Sequence, residues 1–364
     1  MNEASGGTTP EAPIVQTDFE RISTLVSAEF QLEEALMEHN IPTYYLKQPQ
    51  ETKQAFLRLL KNLEATNLMP ILRRQNKRVV LKVIPKPPIK KSNVIINWIL
   101  FFATIATTFL TGYILSGEII DPLIGGATFT ISLLMILGLH ELGHKITANK
   151  KGVEATPPYF IPGPPPVGYF FGIGTFGAVI MQKSLPPNKD ALFDIGSSGP
   201  VMSFILAAVF ATVGFAFSPI IYSPEQLPTL PSPLLFSLIA MALVRVPAPP
   251  PGQYTYIQLH PVAFAGWVGM LVTMLNLLPA AMLDGGHVAR SIATERMASI
   301  LTFLSVLLLI VEGFWPMAFF VIFISMYKHP GPLDDISGLS VRRKAFIFLL
   351  IGIFILCSFI PLQR

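Results

Sequence analysis

The chain has 364 residues, 51% hydrophobic and 13% charged, with a formal net charge of +4. Soluble domains are about 25% charged, so this composition, with a mean hydropathy of +0.55, excludes a wholly soluble protein, and the small net charge gives no reason to expect a nucleic-acid partner. Cys357 is the only cysteine; it excludes a disulfide framework or a multi-thiolate zinc site within one chain, leaving histidine and carboxylate as metal ligands.

Residues 1–13 are rich in Gly, Thr, Pro and Glu and are expected to form a flexible tail. No early apolar run follows, so no cleavable signal peptide is expected. Over 18–39, apolar residues including Phe19, Ile22, Val26, Phe30, Leu32 and Leu36 recur at helical spacing and predict a helix. A short strand at 41–46, a helix at 50–67 and strands at 68–72 and 77–84 complete a soluble α+β domain, residues 14–84. It carries no chemistry of its own and reads as an accessory or substrate-docking domain. A stiff basic linker, residues 85–93, contains Pro85, Lys86, Pro87, Pro88, Lys90 and Lys91.

The remainder, residues 94–364, reads as a polytopic α-helical membrane domain. Apolar spans are predicted at 94–115, 123–144, 193–221 and 261–281, each long enough to cross a bilayer. Shorter apolar stretches follow at 299–311, 315–327 and 344–360. Residues 152–190 differ: Pro157, Pro158, Pro162, Pro164, Pro165 and Pro166 forbid regular helix, and 172–180 is apolar, glycine-rich and strand-like. Such backbone sits at membrane depth only under a cover of protein or beside a wet cavity. A re-entrant segment or membrane-associated hairpin is expected there; an interfacial loop on lipid is the alternative. A 13-residue apolar stretch at 234–246 is short for a crossing. Lys and Arg cluster before the first span, after the second and fourth, and before the last. The positive-inside rule puts these clusters in the cytoplasm. About seven spans result, with the amino end inside and Arg364 outside, provided that 234–246 does not cross.

The second span leads into His140-Glu141-Leu142-Gly143-His144. On a helix the two imidazoles lie one turn apart on one face and can share a metal, and the adjacent Glu can act as general base. With six histidines, a chance H-E-x-x-H is expected in about one such sequence in a few hundred. Ionisable groups inside spans are costly and usually functional. A catalytic zinc needs a third protein ligand. Asp284 is the best candidate, a lone carboxylate at the end of an apolar span with Gly285 and Gly286 behind it; an N-cap is its alternative role. His287 lies beyond the glycines and is expected to face water, and His39, His260 and His329 are given no role. Asn276 has two readings, hydrogen-bonded helix packing or a donor to an oxyanion or substrate backbone.

The first motif together with Asn276-Leu277-Leu278-Pro279-Ala280-Ala281-Met282-Leu283-Asp284-Gly285-Gly286 resembles the two signatures of the site-2 protease family, the intramembrane zinc metalloproteases. Gly174-Thr175-Phe176-Gly177-Ala178, Phe193-Asp194-Ile195-Gly196-Ser197-Ser198-Gly199-Pro200 and Ala265-Gly266-Trp267 resemble the branch that includes the plant chloroplast "ethylene-dependent gravitropism-deficient and yellow-green" proteins. The resemblance covers about residues 95–330. It implies one Zn2+ held by His140, His144 and Asp284, water activation by Glu141, and an oxyanion steadied by Asn276. It also implies cleavage within the transmembrane helix of a membrane-protein substrate. Gly174, Thr175, Phe176, Gly177 and Ala178 are expected to bind that substrate, and the strand-like Thr175 to Met181 to pair with its unwound segment by strand addition. A membrane transporter and a catalytically inactive scaffold are the competing classes. A prokaryotic plasma membrane is the expected location, with the active site toward the cytoplasm.

Overall fold

The computed structural model describes residues 16–88, 93–167, 172–327 and 329–359. The tail expected at 1–13, Lys90 and Lys91 of the linker, and Arg364 lie outside them. The described residues form two compact units: residues up to 88 with Pro332–Gly338, and the remainder.

The first unit runs α1 (Gln16–Glu29), β1 (Leu32–Glu38), β2 (Ile41–Leu46), α2 (Lys53–Asn62), β3 (Leu68–Gln75) and β4 (Arg78–Pro85). Its antiparallel sheet has the order β1-β2-β4-β3. The helix expected over 18–39 stops at Glu29, and its second half is a strand. His39 and Asn40 both take positive φ, 51° and 62°, the backbone of a two-residue hairpin turn. That turn puts Glu38 opposite Ile41 and sets the register back to Glu34 opposite Tyr45, after which a one-residue irregularity brings Leu32 opposite Leu46. The helix expected at 50–67 is likewise shorter. Ile22, Val26, Phe56 and Leu59 from the helices and Tyr44, Leu46, Leu81 and Val83 from the sheet form the buried core. Pro332–Gly338 covers the outer edge of β3: Leu72 N–H donates to Leu333 O (2.9 Å) and Asp335 N–H to Leu72 O (3.2 Å). An edge strand is thereby closed to further pairing.

The second unit is helical: α3 (Val94–Ser116), α4 (Pro122–Lys150), α5 (Lys189–Ala216), α6 (Leu234–Leu243), α7 (Pro261–Leu277), α8 (Asp284–Ile292), α9 (Glu295–Val311), α10 (Trp315–Ser325) and α11 (Val341–Cys357). Among the described residues, α3, α4 and α5 are the helices long and apolar enough to cross a membrane. Asp121 opens α4 by accepting from Leu123 N–H and Ile124 N–H, and Pro122 supplies its first residue. The helix continues past His144 to Lys150, so the paired histidines lie within it instead of ending it. Pro261 to Met270 of α7 are all buried. This helix is apolar on every side because neighbours cover every side. Ala263, Ala265, Gly266 and Gly269 keep it slim enough for α5 to approach closely.

The span expected at 193–221 begins earlier and ends at Ala216, and 220–223 is instead a strand. There β7 (Ile220–Ser223) pairs with β8 (Tyr254–Ile257). The span expected at 261–281 loses its helix at Leu277. Between α4 and α5, β5 (Tyr159–Pro162) pairs antiparallel with β6 (Thr175–Val179), the hairpin expected from the sequence. It is seated on α3. Asn97 donates to the carbonyls of Pro157 (3.3 Å) and Pro158 (2.9 Å), and Thr107 Oγ1 donates to Gly174 O (2.6 Å). Gly174 has φ +79°, and a Cβ there would press on the Thr107 carbonyl, so glycine permits the contact.

Candidate metal centre

His140 and His144 project from one face of α4, their ring centroids 4.7 Å apart and nearly perpendicular. Both are buried, and their Nε2 atoms face each other at 3.1 Å. Asp284 meets them from the first turn of α8, with Oδ2 3.1 Å from His140 Nε2 and Oδ1 3.2 Å from His144 Nε2. Leu283, not Asp284, occupies the N-cap.

The backbone between α7 and α8 turns sharply to bring Asp284 back. A side chain at Gly285 would strike the carbonyls of Leu277 and Leu278, and one at Gly286 those of Ala280 and Ala281. The paired glycines thus let α8 start against the frayed end of α7. Gly199 has a different role: a Cβ there would overlap the His144 imidazole.

Each histidine has its other nitrogen occupied. His144 Nδ1 lies 2.7 Å from Ile195 O. A carbonyl only accepts, so Nδ1 carries the proton and the Nε2 lone pair faces the centre. His140 Nδ1 lies 3.1 Å from Ser203 Oγ, which lies 2.9 Å from Thr273 Oγ1. Ser203 can accept from His140 and pass its own hydrogen on, either to Thr273 or to the Gly199 or Pro200 carbonyl (3.3 and 3.2 Å). Such partners fix tautomer and ring orientation at metal sites. Ile195 is held in turn by its neighbour. Arg343 clasps Asp194 with two bonds of 2.6 Å, and Lys151 adds a third contact at 2.7 Å.

The donor set fits a zinc ion. Two imidazole lone pairs and a carboxylate converge, one ligand atom from each lying within 4.8 Å of the others. Ligand separations of 3.1–3.2 Å match the roughly 3.3 Å edge of a tetrahedron with bonds of about 2.0–2.1 Å. Asp284 Oδ2 is buried without a hydrogen bond among the described residues, which a cation would satisfy.

Glu141 is buried beside this group, Oε1 3.9 Å from His140 Nε2, and its carboxylate faces the backbone of Ile180, just past β6. Asn276 is half-buried in the last turn of α7, and its amide makes no hydrogen bond among the described residues. In the hairpin, the backbone N–H and C=O of Gly174 are both taken up within the chain, and the Thr175 hydroxyl bonds to Ile161 O and Gly177 N–H. Phe176 is 72% exposed, and Gly177 and Ala178 are half-buried.

His287 does not face water as expected from its position. It is half-buried, and its Nδ1 lies 2.6 Å from His329 Nε2. His260 caps α7 by accepting from Val262 N–H. Sequence reasoning missed Ser203, Thr273 and Arg343. A polar residue deep in an apolar span was the one available signal for the first two.

The profile of peptidase family M50 matches residues 128–311, just over half of the chain. Among curated proteins, the "probable zinc metalloprotease EGY1, chloroplastic" of Oryza sativa subsp. japonica is 30% identical over 240 residues, 63% of this chain and 40% of that protein. "Probable zinc metalloprotease EGY2, chloroplastic" of Oryza sativa subsp. indica is 26% identical over 243 residues, 66% of this chain and 42% of its own. The Arabidopsis thaliana protein of the same description is 28% identical over 207 residues, covering 56% and 35%. The chain therefore spans about two fifths of the length of the relatives it matches. No solved structure matches it. The matched residues contain the converging His140, His144 and Asp284, and the chain belongs to peptidase family M50, the site-2 protease family of zinc metalloproteases.

Proposed function

We propose that this chain is an intramembrane zinc metalloprotease that hydrolyses a peptide bond within the transmembrane segment of a membrane-protein substrate. One observation carries the reading: two tautomer-fixed imidazoles and a carboxylate converge inside a bundle of apolar helices, with Glu141 alongside. His140, His144 and Asp284 would hold one zinc ion, which supplies Lewis-acid polarisation of water and of the scissile carbonyl. Glu141 takes the proton of the attacking water and delivers it to the leaving amine. Its carboxylate lies between the ligands and the Ile180 backbone at the end of the hairpin. Asn276, with its amide free, donates to the carbonyl oxygen as negative charge develops there.

A helical substrate must unwind to expose its scissile bond. Among the described residues β6 pairs with β5 alone, leaving one edge for an unwound segment to join by strand addition. Phe176, Gly177 and Ala178 would contact the substrate, while Gly174 and Thr175 hold the hairpin in shape. Ala178→Pro should abolish cleavage with zinc content unchanged; normal cleavage would sink strand addition. Ala178 is a cleaner site than Ile180, where proline would also disturb the contact with Glu141.

We further propose seven spans, α3, α4, α5, α7, α9, α10 and α11, with residues 14–84 as a soluble accessory domain on the cytoplasmic side. A prokaryotic plasma membrane with the metal centre toward the cytoplasm is the location that the basic clusters support. The deciding experiment measures zinc content and cleavage of a single-span reporter in wild type and Glu141→Gln. Zinc retained with cleavage lost by about 100-fold or more is expected. A variant that cleaves normally refutes the general-base role, and a wild type that binds zinc without cleaving any single-span reporter favours an inactive scaffold.

A further inference from the structure

Opposite the hairpin's Glu141 contact, α4, α5 and the start of α11 enclose an open groove of about 800 Å³. Its walls are apolar. Leu142, Ile146, Met202 and Phe346 are 41%, 45%, 38% and 37% exposed along it. A surface of this kind, on helices that read as membrane spans, faces lipid chains and not water. Its chemistry changes at one end, where Lys150, Lys151, Arg342 and Arg343 gather around Asp194. Lys151 and Arg343 are engaged by Asp194, and Arg343 also pairs with Asp190 at 3.0 Å. Lys150 and Arg342 are exposed and have no acidic partner among the described residues. Counting these six groups, four cations face two anions, leaving two positive charges at the mouth. The amino-terminal end of α11, the positive end of its dipole, opens at the same place. By the charge map this end lies at the cytoplasmic headgroup level.

We propose that the groove is a binding site for one anionic phospholipid, its headgroup phosphate between Lys150 and Arg342 and an acyl chain along Leu142, Ile146 and Met202. Charge complementarity selects the occupant. A zwitterionic lipid would fill the apolar wall equally well but leave both cations without a net counter-charge, and a free anion would leave the wall exposed. The site is separate from the metal ligands, although α4 contributes to both. It rests on the membrane embedding of these helices and not on proteolysis.

The test uses the full chain, zinc-loaded in detergent, and follows the midpoint of thermal unfolding during titration with short-chain phosphatidylglycerol. Phosphatidylcholine of the same chain length and glycerol 3-phosphate form the parallel arms. Phosphatidylglycerol alone should raise the midpoint. At roughly fivefold per basic side chain near a membrane surface, Lys150→Ala/Arg342→Ala should weaken the response about 30-fold, and Lys150→Arg/Arg342→Lys should restore it. An equal response to phosphatidylcholine, an equal response to glycerol 3-phosphate, an unaltered response in the alanine variant or no response in wild type would each overturn the proposal. The last would leave an acidic juxtamembrane segment of a partner protein as the occupant to seek. Because cleavage is not the readout, failure here and failure of the protease assignment are told apart.

Discussion

His140 can offer Nε2 to a metal only while Nδ1 keeps the proton, and Ser203 is the group that holds it there. Ser203→Ala should therefore weaken zinc binding about 10- to 100-fold, the range for losing such a supporting bond, measured by competition with a chromogenic chelator. Thr273→Val, one bond further away, should cost less; an equal or larger loss would mean that the relay does not run through Ser203. Gly199→Ala is the harsher change, because its methyl group takes the space of the His144 ring. It should abolish zinc binding while helical circular dichroism stays intact. The candidate ligands were legible because ionisable groups in apolar spans are rare and the spacing of His140 and His144 matches one helical turn. Their supports were not. The Ile195 carbonyl belongs to the backbone and has no sequence signature. Ser203 hides among hydroxyls that merely bond back along their own helix, as Thr104, Thr108, Ser116 and Thr212 do.

Between α7 and α8, Ala281 takes φ +45°, a left-handed conformation that costs a non-glycine residue roughly 1–2 kcal/mol. Glycine usually destabilises an element by about 0.5–1 kcal/mol relative to alanine. At this position Ala281→Gly should leave the thermal midpoint in detergent unchanged or raise it, and a drop of several degrees would show that the turn is built otherwise. Such turns also explain which elements the sequence disclosed. Long apolar helices declared themselves by length alone. Leu32–Glu38 did not, because Leu, Glu, Ala and Met are all good helix formers; only the two-residue turn at His39 and Asn40 makes it a strand. Ile220 and Ile221 read as the end of the preceding apolar span, since nothing within Ile220–Ser223 announces the pairing with Tyr254–Ile257. Strand partners far along the chain leave no local signal.

The number of crossings is constrained by a contact that sequence patterning could not reveal. Leu72 pairs through its backbone with Leu333 and Asp335, so residues before the first span and residues 332–338 lie on one side of the bilayer. An even number of crossings must separate them. Of the proposed spans, α3, α4, α5 and α7 would supply four, and the α9–α10 hairpin two or none. A crossing by α6 would make the number odd. Its first residue, Leu234, donates to Ser358 O just past the end of α11, which supports an outer-face position for its start. Cysteine labelling tests this with little background, because Cys357 is buried. Gln226→Cys and Gln253→Cys flank α6 at exposed positions, while Arg296→Cys and Lys77→Cys are exposed on the proposed cytoplasmic side. In intact cells a membrane-impermeant maleimide should modify both glutamine-site cysteines and neither of the others until the membrane is opened. Modification at 226 but not at 253 would mean that α6 crosses, and the shared side of Leu72 and Leu333 would then require another of the proposed spans to be withdrawn.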